Sequence, residues 1–146
     1  MPAVQTKLET FVSPDELKEV ILKFEEYPDF MDEVTSVDVL ERSDTKIRCT
    51  FHIDLSFGGF EIKSHYTVSY AIEERSITWE LEESPVLTQN RGSWRLEETE
   101  DEECVAHYEG EVETNLAIPP EIQAEFAKSE LPKLMGKIRD RAERMD

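Results

Sequence analysis

The stretch from Lys46 to Ile72, KIRCTFHIDLSFGGFEIKSHYTVSYAI, contains two runs in which nearly every second residue is apolar or aromatic. A period of two is typical of a strand with one buried face. Gly58 and Gly59 separate the runs and can adopt the positive φ angles of a two-residue hairpin turn. We therefore predict a long antiparallel hairpin that turns at these two glycines.

The position of the turn also predicts the register of the hairpin. It places Phe57 opposite Phe60 and Phe51 opposite Tyr66, all on one face. The opposite face is polar, with Asp54 across from Lys63 as a favourable pair of charges. The remaining residues expected on the apolar face are Ile47, Cys49, Ile53, Leu55, Ile62, Ser64, Val68, Tyr70 and Ile72.

Length and charge limit the classes of function. The 146 residues suit one domain, 1–146, with a single core. Acidic residues outnumber basic ones 34 to 16, and the net charge of −18 argues against nucleic-acid binding and against an anionic membrane surface. We expect no secretory signal and no membrane-spanning segment. Two cysteines do not make a disulfide framework, so a cytoplasmic location is expected.

Local signals place the other elements. Ser13 can cap a helix that starts at Pro14, with Glu16 completing a capping box, and this helix is expected to end near Glu25. A second short helix is expected to begin at Pro28. Alternation predicts further strands over 4–12, 34–42, 77–81, 86–96 and 104–114.

The period becomes helical from Pro119 to the end of the chain. The apolar residues do not form one stripe. Ile122 and Phe126 fall on one side of the helix, and a second group falls almost opposite, with the switch near Pro132: Leu131, Leu134, Met135, Ile138 and Ala142. An internal proline should kink or break a helix, so we predict a bend over 129–131. Basic residues gather in this part of the chain, where they complement the C-terminal end of a helix dipole or offer a face to a protein partner.

These elements predict the α+β class, with a curved seven-stranded antiparallel sheet, two short helices between strands 1 and 2, and a long C-terminal helix. Seven strands spaced about 4.8 Å apart give a sheet about 34 Å wide, whereas one helix is about 10 Å across. The sheet must therefore curl around the helix. The space between them is either filled by core aromatics or left as an apolar ligand cavity. The expected ligand-binding residues are Phe30, Met31, Phe51, Ile53, Tyr66, Tyr70, Trp79, Thr88, Asn90, Trp94, Tyr108, Phe126 and Met135.

Three segments resemble a known family. They are Tyr27 to Val34 (YPDFMDEV), Val37 to Arg42 (VDVLER) and Gly92 to Leu96 (GSWRL). Together with the order of elements, they are similar to the START-like helix-grip superfamily (SRPBCC), in its polyketide cyclase/dehydrase and coenzyme Q-binding-protein branch. The resemblance implies a curved sheet gripping the C-terminal helix around a hydrophobic ligand. Relatives include lipid and quinone carriers, aromatase/cyclases and a ribosome-association toxin.

Catalytic and metal-binding patterns are not evident in the sequence. His52 and His65 face each other on the polar side of the hairpin without a clear third ligand, so no metal site is predicted. Neither cysteine has an inward histidine neighbour, and no catalytic residue is predicted. Arg91 and Arg95 are expected to point outward. No cofactor is expected.

The leading hypothesis is a carrier or binding protein for a small hydrophobic ligand such as a lipid, isoprenoid quinone or polyaromatic compound. Ligand access is expected near Phe30, Met31 and the hairpin tip over 57–60. One alternative is a cyclase or dehydratase, which would need an ionisable group with a displaced pKa in the cavity. The other is a module for binding the ribosome or another protein, through the hairpin tip or the basic face of the C-terminal helix.

Overall fold

The computed structural model describes residues 4–145 and has the predicted α+β architecture. Seven antiparallel strands form one curved sheet in the order β1-β7-β6-β5-β4-β3-β2. Strands β2 to β7 follow each other as neighbours, and β1 lies beside β7. The strands are β1 (Val4–Thr10), β2 (Val34–Arg42), β3 (Lys46–Phe57), β4 (Phe60–Ile72), β5 (Ser76–Glu83), β6 (Leu87–Glu98) and β7 (Cys104–Thr114).

The central hairpin has the predicted register over its full length. Phe57 lies opposite Phe60, and Phe51 lies opposite Tyr66. Gly58 and Gly59 have φ angles of 60° and 85°, as the two-residue turn requires. Asp54 lies across from Lys63, but the lysine ammonium contacts Glu61 at 3.4 Å instead. The period-two pattern therefore predicted the backbone pairing, whereas the exposed ion pair formed along the strand.

Helix α1 (Pro14–Leu22) begins with the predicted capping box. The Ser13 hydroxyl accepts a hydrogen bond from the Glu16 backbone N–H, and the Glu16 carboxylate accepts one from the Ser13 N–H. The buried side of the helix includes Leu17 and Ile21.

The segment after α1 differs from the prediction. A 3₁₀ helix spans Phe24–Asp29, so the second short helix starts before Pro28 and contains this proline. Its tight turn brings the Tyr27 hydroxyl within 2.6 Å of the Ile21 carbonyl oxygen, to which it donates. Phe24 and Tyr27 are both buried by this arrangement.

The start of β6 contains a β-bulge that the sequence analysis missed. Leu87 pairs with Thr114 and Gln89 pairs with Glu113, so Thr88 is the extra residue. Because a bulge adds one residue to the strand, the residues before it face the opposite side from the one that strict alternation predicts. Leu87 consequently faces inward while Thr88 is exposed, which is the opposite of the predicted orientation.

The C-terminal helix is interrupted where a bend was predicted. It consists of α2 (Pro120–Glu125), a π-helical segment (Phe126–Glu130) and α3 (Leu131–Met145). Pro132 has no N–H to offer the Lys128 carbonyl. The chain accommodates the proline with a wider turn, in which the Leu131 N–H donates to the Phe126 carbonyl oxygen. One extra residue rotates the following side chains by about 100°, and this brings apolar positions before and after the proline onto the same cavity.

Candidate ligand-binding site

An apolar cavity of about 180 Å³ lies between the concave face of the sheet and the C-terminal helix. We call it the inner chamber. The sheet contributes most of its aromatic lining, and α3 closes it from the other side. The lining residues are Phe24, Tyr27, Met31, Glu33, Val34, Phe51, Ile53, Leu55, Tyr66, Tyr70, Trp79, Leu87, Asn90, Trp94, Tyr108, Val112, Phe126, Leu131, Leu134, Met135 and Ile138.

The inner chamber contains eleven of the thirteen residues expected to bind ligand. These are Met31, Phe51, Ile53, Tyr66, Tyr70, Trp79, Asn90, Trp94, Tyr108, Phe126 and Met135. Thr88 does not line it, because the bulge turns this side chain outward. Phe30 is also absent from the lining. Its ring packs on Tyr27 and under the Arg141 guanidinium, 5.5 Å from the ring centroid.

Several lining residues were missed by the sequence analysis. The sequence analysis placed Phe24 near the end of the first helix and Tyr27 between the two short helices, and the 3₁₀ turn that directs them inward has no clear sequence signal. Leu87 was missed because of the bulge. Leu55 was predicted on the apolar face, and Val112 has the same parity as Tyr108 on its strand, so these two could have been included.

Aromatic side chains fill part of the space between sheet and helix. Trp79 stacks on Tyr108 with ring centroids 5.7 Å apart, and Tyr108 meets Trp94 edge-on at 5.2 Å. Phe51 stacks on Tyr66 at 5.3 Å. Gly92 lies opposite Trp79 on the neighbouring strand, where its lack of a side chain leaves room for the indole. The aromatics therefore narrow the hollow to the inner chamber without closing it.

Apart from Glu33, the polar side chains that line the inner chamber are neutral hydrogen-bonding groups. The Trp79 Nε1–H donates to Asn90 Oδ1 at 3.2 Å, which leaves the amide hydrogens of Asn90 available. The hydroxyls of Tyr66, Tyr70 and Tyr108 have no hydrogen-bond partner among residues 4–145. Within that range the one fully buried side-chain oxygen or nitrogen without a partner is Ser64 Oγ, so the three tyrosine hydroxyls retain accessible surface. The chamber thus offers uncommitted donors to a bound molecule.

The tyrosines of the chamber are uncharged, whereas Glu33 is charged. Burial raises the pKa values of Tyr66, Tyr70 and Tyr108 above their ordinary value, so each phenol stays protonated and acts as a donor. Glu33 is the carboxylate in the lining. Burial would raise the pKa of Glu33, but hydrogen bonds from Lys137 and the backbone and the charge of Lys137 outweigh it, and the pKa is lowered. Glu33 therefore remains ionised and paired.

Contacts on both sides of the chamber fasten α3 to the rest of the chain. Lys137 Nζ lies 2.9 Å from Glu33 Oε1, and an Arg141 nitrogen lies 3.4 Å from Glu26 Oε1. The Thr10 hydroxyl donates to Glu143 Oε2 at 2.7 Å. These contacts hold the helix against β1, the 3₁₀ helix and the segment that leads into β2.

The basic residues of the C-terminal helix are largely paired within the chain. This part of the chain has six cations, Lys128, Lys133, Lys137, Arg139, Arg141 and Arg144. Four of them, Lys133, Lys137, Arg139 and Arg141, lie within 4 Å of acidic side chains and are already partnered.

The histidines and arginines considered as candidate site residues lie outside the inner chamber. His52 and His65 lie opposite each other, and His52 contacts Asp38 at 2.9 Å. No group of three potential metal ligands occurs in the part of the chain that is described. Arg91 and Arg95 are exposed, as predicted.

The thiols of Cys49 and Cys104 are free and buried. Burial raises the pKa of Cys49 to about 12 and that of Cys104 to about 11, so neither thiol is an activated nucleophile.

Comparison with protein families identifies the chain. The family model described as polyketide cyclase / dehydrase and lipid transport matches residues 12–138. The chain belongs to this family. The match covers α1, all strands except β1, and the helix as far as Ile138, so it includes every residue that lines the inner chamber. Comparison with curated protein sequences finds no match. Within residues 4–145 no helix has the length and apolar character needed to cross a membrane.

Solved structures share the fold of this family member. A START superfamily protein from Mycobacterium smegmatis superposes with a TM-score of 0.80 at 17% identity, over 99% of each chain. The Zhui aromatase/cyclase from a Streptomyces species gives 0.79 at 18% identity, over 98% of this chain and 94% of the other. A STAR-related lipid transfer protein from Xanthomonas axonopodis gives 0.75 at 16% identity, over 94% and 84%. At these identities the likeness establishes the helix-grip fold.

Proposed function

We propose that this protein binds a small, uncharged, mainly apolar ligand in the inner chamber and acts as a carrier or binding protein. The observation that carries the proposal is the combination of an aromatic-lined cavity of about 180 Å³ with tyrosine hydroxyls that have no partner among the described residues. Burial of apolar ligand surface would supply most of the affinity. The uncommitted donors would orient one oxygen-bearing group of the ligand. The lipid transfer protein among the structural neighbours is in keeping with this role.

A carrier role fits the electrostatics better than a cyclase or dehydratase role. Such an enzyme would need a group in the cavity that exchanges a proton near neutral pH. The tyrosines are held protonated, and Glu33 is held ionised by Lys137. These shifts move the groups away from the range in which they would act as general acids or bases.

The first test is direct binding. Protein that has been delipidated and refolded is titrated with phenol, a neutral monocyclic probe, while the fluorescence of Trp79 and Trp94 is followed, since both line the chamber. We expect a saturable change. Native mass spectrometry of protein purified from cells under mild conditions should reveal a co-purified neutral ligand.

A matched pair of variants locates the binding. Val112 on β7 lines the inner chamber, so Val112→Phe should fill part of the cavity and weaken binding at least tenfold. Val105→Phe, on the opposite face of the same strand, is the control and should bind like the wild type. Thermal unfolding verifies that both variants fold. Unsaturable binding in the wild type, or equal loss in both variants, would refute the proposal.

A further inference from the structure

A second apolar cavity of about 100 Å³ lies next to the inner chamber, towards the tip of the β3–β4 hairpin. We call it the tip chamber. It is lined by the hairpin tip, the ends of β6 and β7, the segment after β7, and α2. The two chambers share five lining residues, Ile53, Leu55, Leu87, Val112 and Phe126, so they are neighbouring compartments of one hollow.

Phe126 is the shared residue contributed by the helix. It is the first residue of the π-helical segment, and its ring meets Phe57 of the hairpin tip edge-on at a centroid distance of 5.6 Å. The Phe126 backbone carbonyl accepts from the Leu131 N–H in the wide turn imposed by Pro132. The position of this ring, between sheet and helix, is thus set by the local accommodation of the proline.

We propose that Phe126 is a partition between the chambers, and that the ligand is a single uncharged ring carrying a short alkyl chain. The ring would occupy the inner chamber, and the chain would pass Phe126 into the tip chamber. This inference rests on the proposed binding function and specifies the size and chemistry of the ligand.

The volumes favour a monocyclic ligand. A cavity of about 150 Å³ accommodates benzene. The 180 Å³ inner chamber therefore fits one six-membered ring with a polar substituent, and is smaller than the roughly 300–1,000 Å³ typical of sites for larger organic ligands. At about 30 Å³ for a water-sized group, the 100 Å³ tip chamber has room for about three or four carbons.

The polar groups determine which end of the ligand goes where. In the inner chamber the tyrosine hydroxyls and the Asn90 amide are uncommitted donors. The tip chamber is lined by apolar side chains except for two, and each of these makes a hydrogen bond to a nearby carbonyl: Gln123 Nε2 donates to Ile118 at 2.8 Å and the Thr114 hydroxyl donates to Val86 at 2.6 Å. An oxygen substituent is therefore satisfied in the inner chamber, and an alkyl chain is favoured in the tip chamber.

The charge outside the chambers favours an uncharged ligand. Phe126 also borders a surface cleft of about 280 Å³ whose rim carries four carboxylates, Asp32, Glu33, Asp54 and Glu130. Glu33 and Glu130 are paired with lysines, but the rim and the net charge of −18 remain negative. A fatty-acid carboxylate or a phosphate headgroup approaching this cleft meets repulsion, whereas a phenol does not.

The test is a chain-length series measured by isothermal titration calorimetry: phenol, para-ethylphenol, para-butylphenol and para-octylphenol. In the wild type we expect affinity to rise about three- to fourfold per methylene up to about four carbons and then to level off. Sodium octanoate should bind at least tenfold more weakly than para-butylphenol, since it carries a charge.

Two variants test the tip chamber and the partition separately. Ile118→Trp fills the tip chamber and should remove the gain from the alkyl chain while phenol still binds. Its control is Ala117→Trp, at an exposed neighbouring position outside both linings. Phe126→Ala removes the partition, so the gain from the chain should become larger and extend to longer chains. Thermal unfolding checks each fold.

The outcomes separate this inference from the proposed function. If none of the phenols binds the wild type, the proposed function itself fails. If phenol binds but the chain adds no affinity, or if Ile118→Trp or Phe126→Ala leaves the chain-length dependence of the wild type unchanged, the partition is refuted and the binding function stands. Equal binding of octanoate and butylphenol would refute the requirement for an uncharged ligand.

Discussion

A methyl group added at Gly92 should destabilise the protein, because this position faces both a backbone atom and Trp79. A Cβ at Gly92 would lie 2.3 Å from the Glu109 carbonyl oxygen and 2.5 Å from Cζ2 of Trp79. Side-chain Cβ atoms essentially never approach other atoms below 3.0 Å. The Glu109 oxygen belongs to the neighbouring strand β7 and is not the far end of a flexible side chain. The variant Gly92→Ala must therefore distort the pairing of β6 with β7 and also displace the indole.

The expected change in the free energy of unfolding of Gly92→Ala is the difference between two opposing contributions. Overpacking costs about 1–3 kcal/mol, and an immovable backbone atom places this site at the upper end of that range. Alanine also has less conformational freedom than glycine in the unfolded chain, which stabilises the folded state by about 0.4–1 kcal/mol. The net cost is about 2 kcal/mol, which lowers the melting temperature of a domain of this size by about 4–8 °C.

Gly136→Ala is the matched control. Gly136 lies inside α3, and the nearest atom to an added Cβ there is an Arg139 guanidinium nitrogen at 3.7 Å, an ordinary contact. Alanine is preferred over glycine in a helix interior by about 0.5–1 kcal/mol, so this variant should melt about 1–4 °C above the wild type. Both variants are measured by circular dichroism. If Gly92→Ala melts at the wild-type temperature, the steric reasoning is wrong.

Three further changes have defined outcomes. Ser13→Ala removes the N-cap of α1 and should lower the free energy of unfolding in urea by about 1 kcal/mol. Ser64→Ala removes a buried hydroxyl without a partner and should raise the free energy of unfolding by about 1 kcal/mol. A loss of stability instead would mean that this oxygen is hydrogen-bonded in solution. For Glu33, whose pKa is lowered from 4.5, the stabilisation is complete above the unfolded pKa and disappears as the pH falls through the folded one. Urea midpoints should therefore fall less on acidification in Lys137→Met than in the wild type, and the variant should cost under about 1 kcal/mol at neutral pH; equal acid sensitivity would contradict the pairing.

The sheet and most of the chamber could be predicted because one signal specifies both. A period of two identifies the strand and also the face on which each residue lies, so the Gly58-Gly59 turn was enough to place Phe51 and Tyr66 together. The width of the sheet relative to one helix predicted that the sheet curls around the helix, but left open whether the space between them is filled or hollow. Eight of the eleven expected residues that line the inner chamber lie on strands and were placed in this way.

The predictions that were wrong or incomplete lie where an irregular backbone changes the spacing of inward-facing residues. One extra residue at Thr88 reverses the faces of β6, and a bulge of this kind has no reliable sequence signal. Pro132 correctly marked an irregular helix, but the π-helical turn before it could not be told from a kink by the sequence. The 3₁₀ helix over Phe24–Asp29 likewise depends on tertiary packing, since Phe24 and Tyr27 are buried against the sheet aromatics.

The two buried thiols can be used to measure local opening of the protein. Cys49 lies on β3, next to one edge strand, and Cys104 lies on β7, next to the other. Their accessible fractions are 0% and 1%, so a thiol-specific reagent can modify them only after the surrounding structure separates. Alkylation rates of single-cysteine versions would then report how often the structure around each flank of the sheet opens, and whether a bound molecule slows opening at one flank more than at the other.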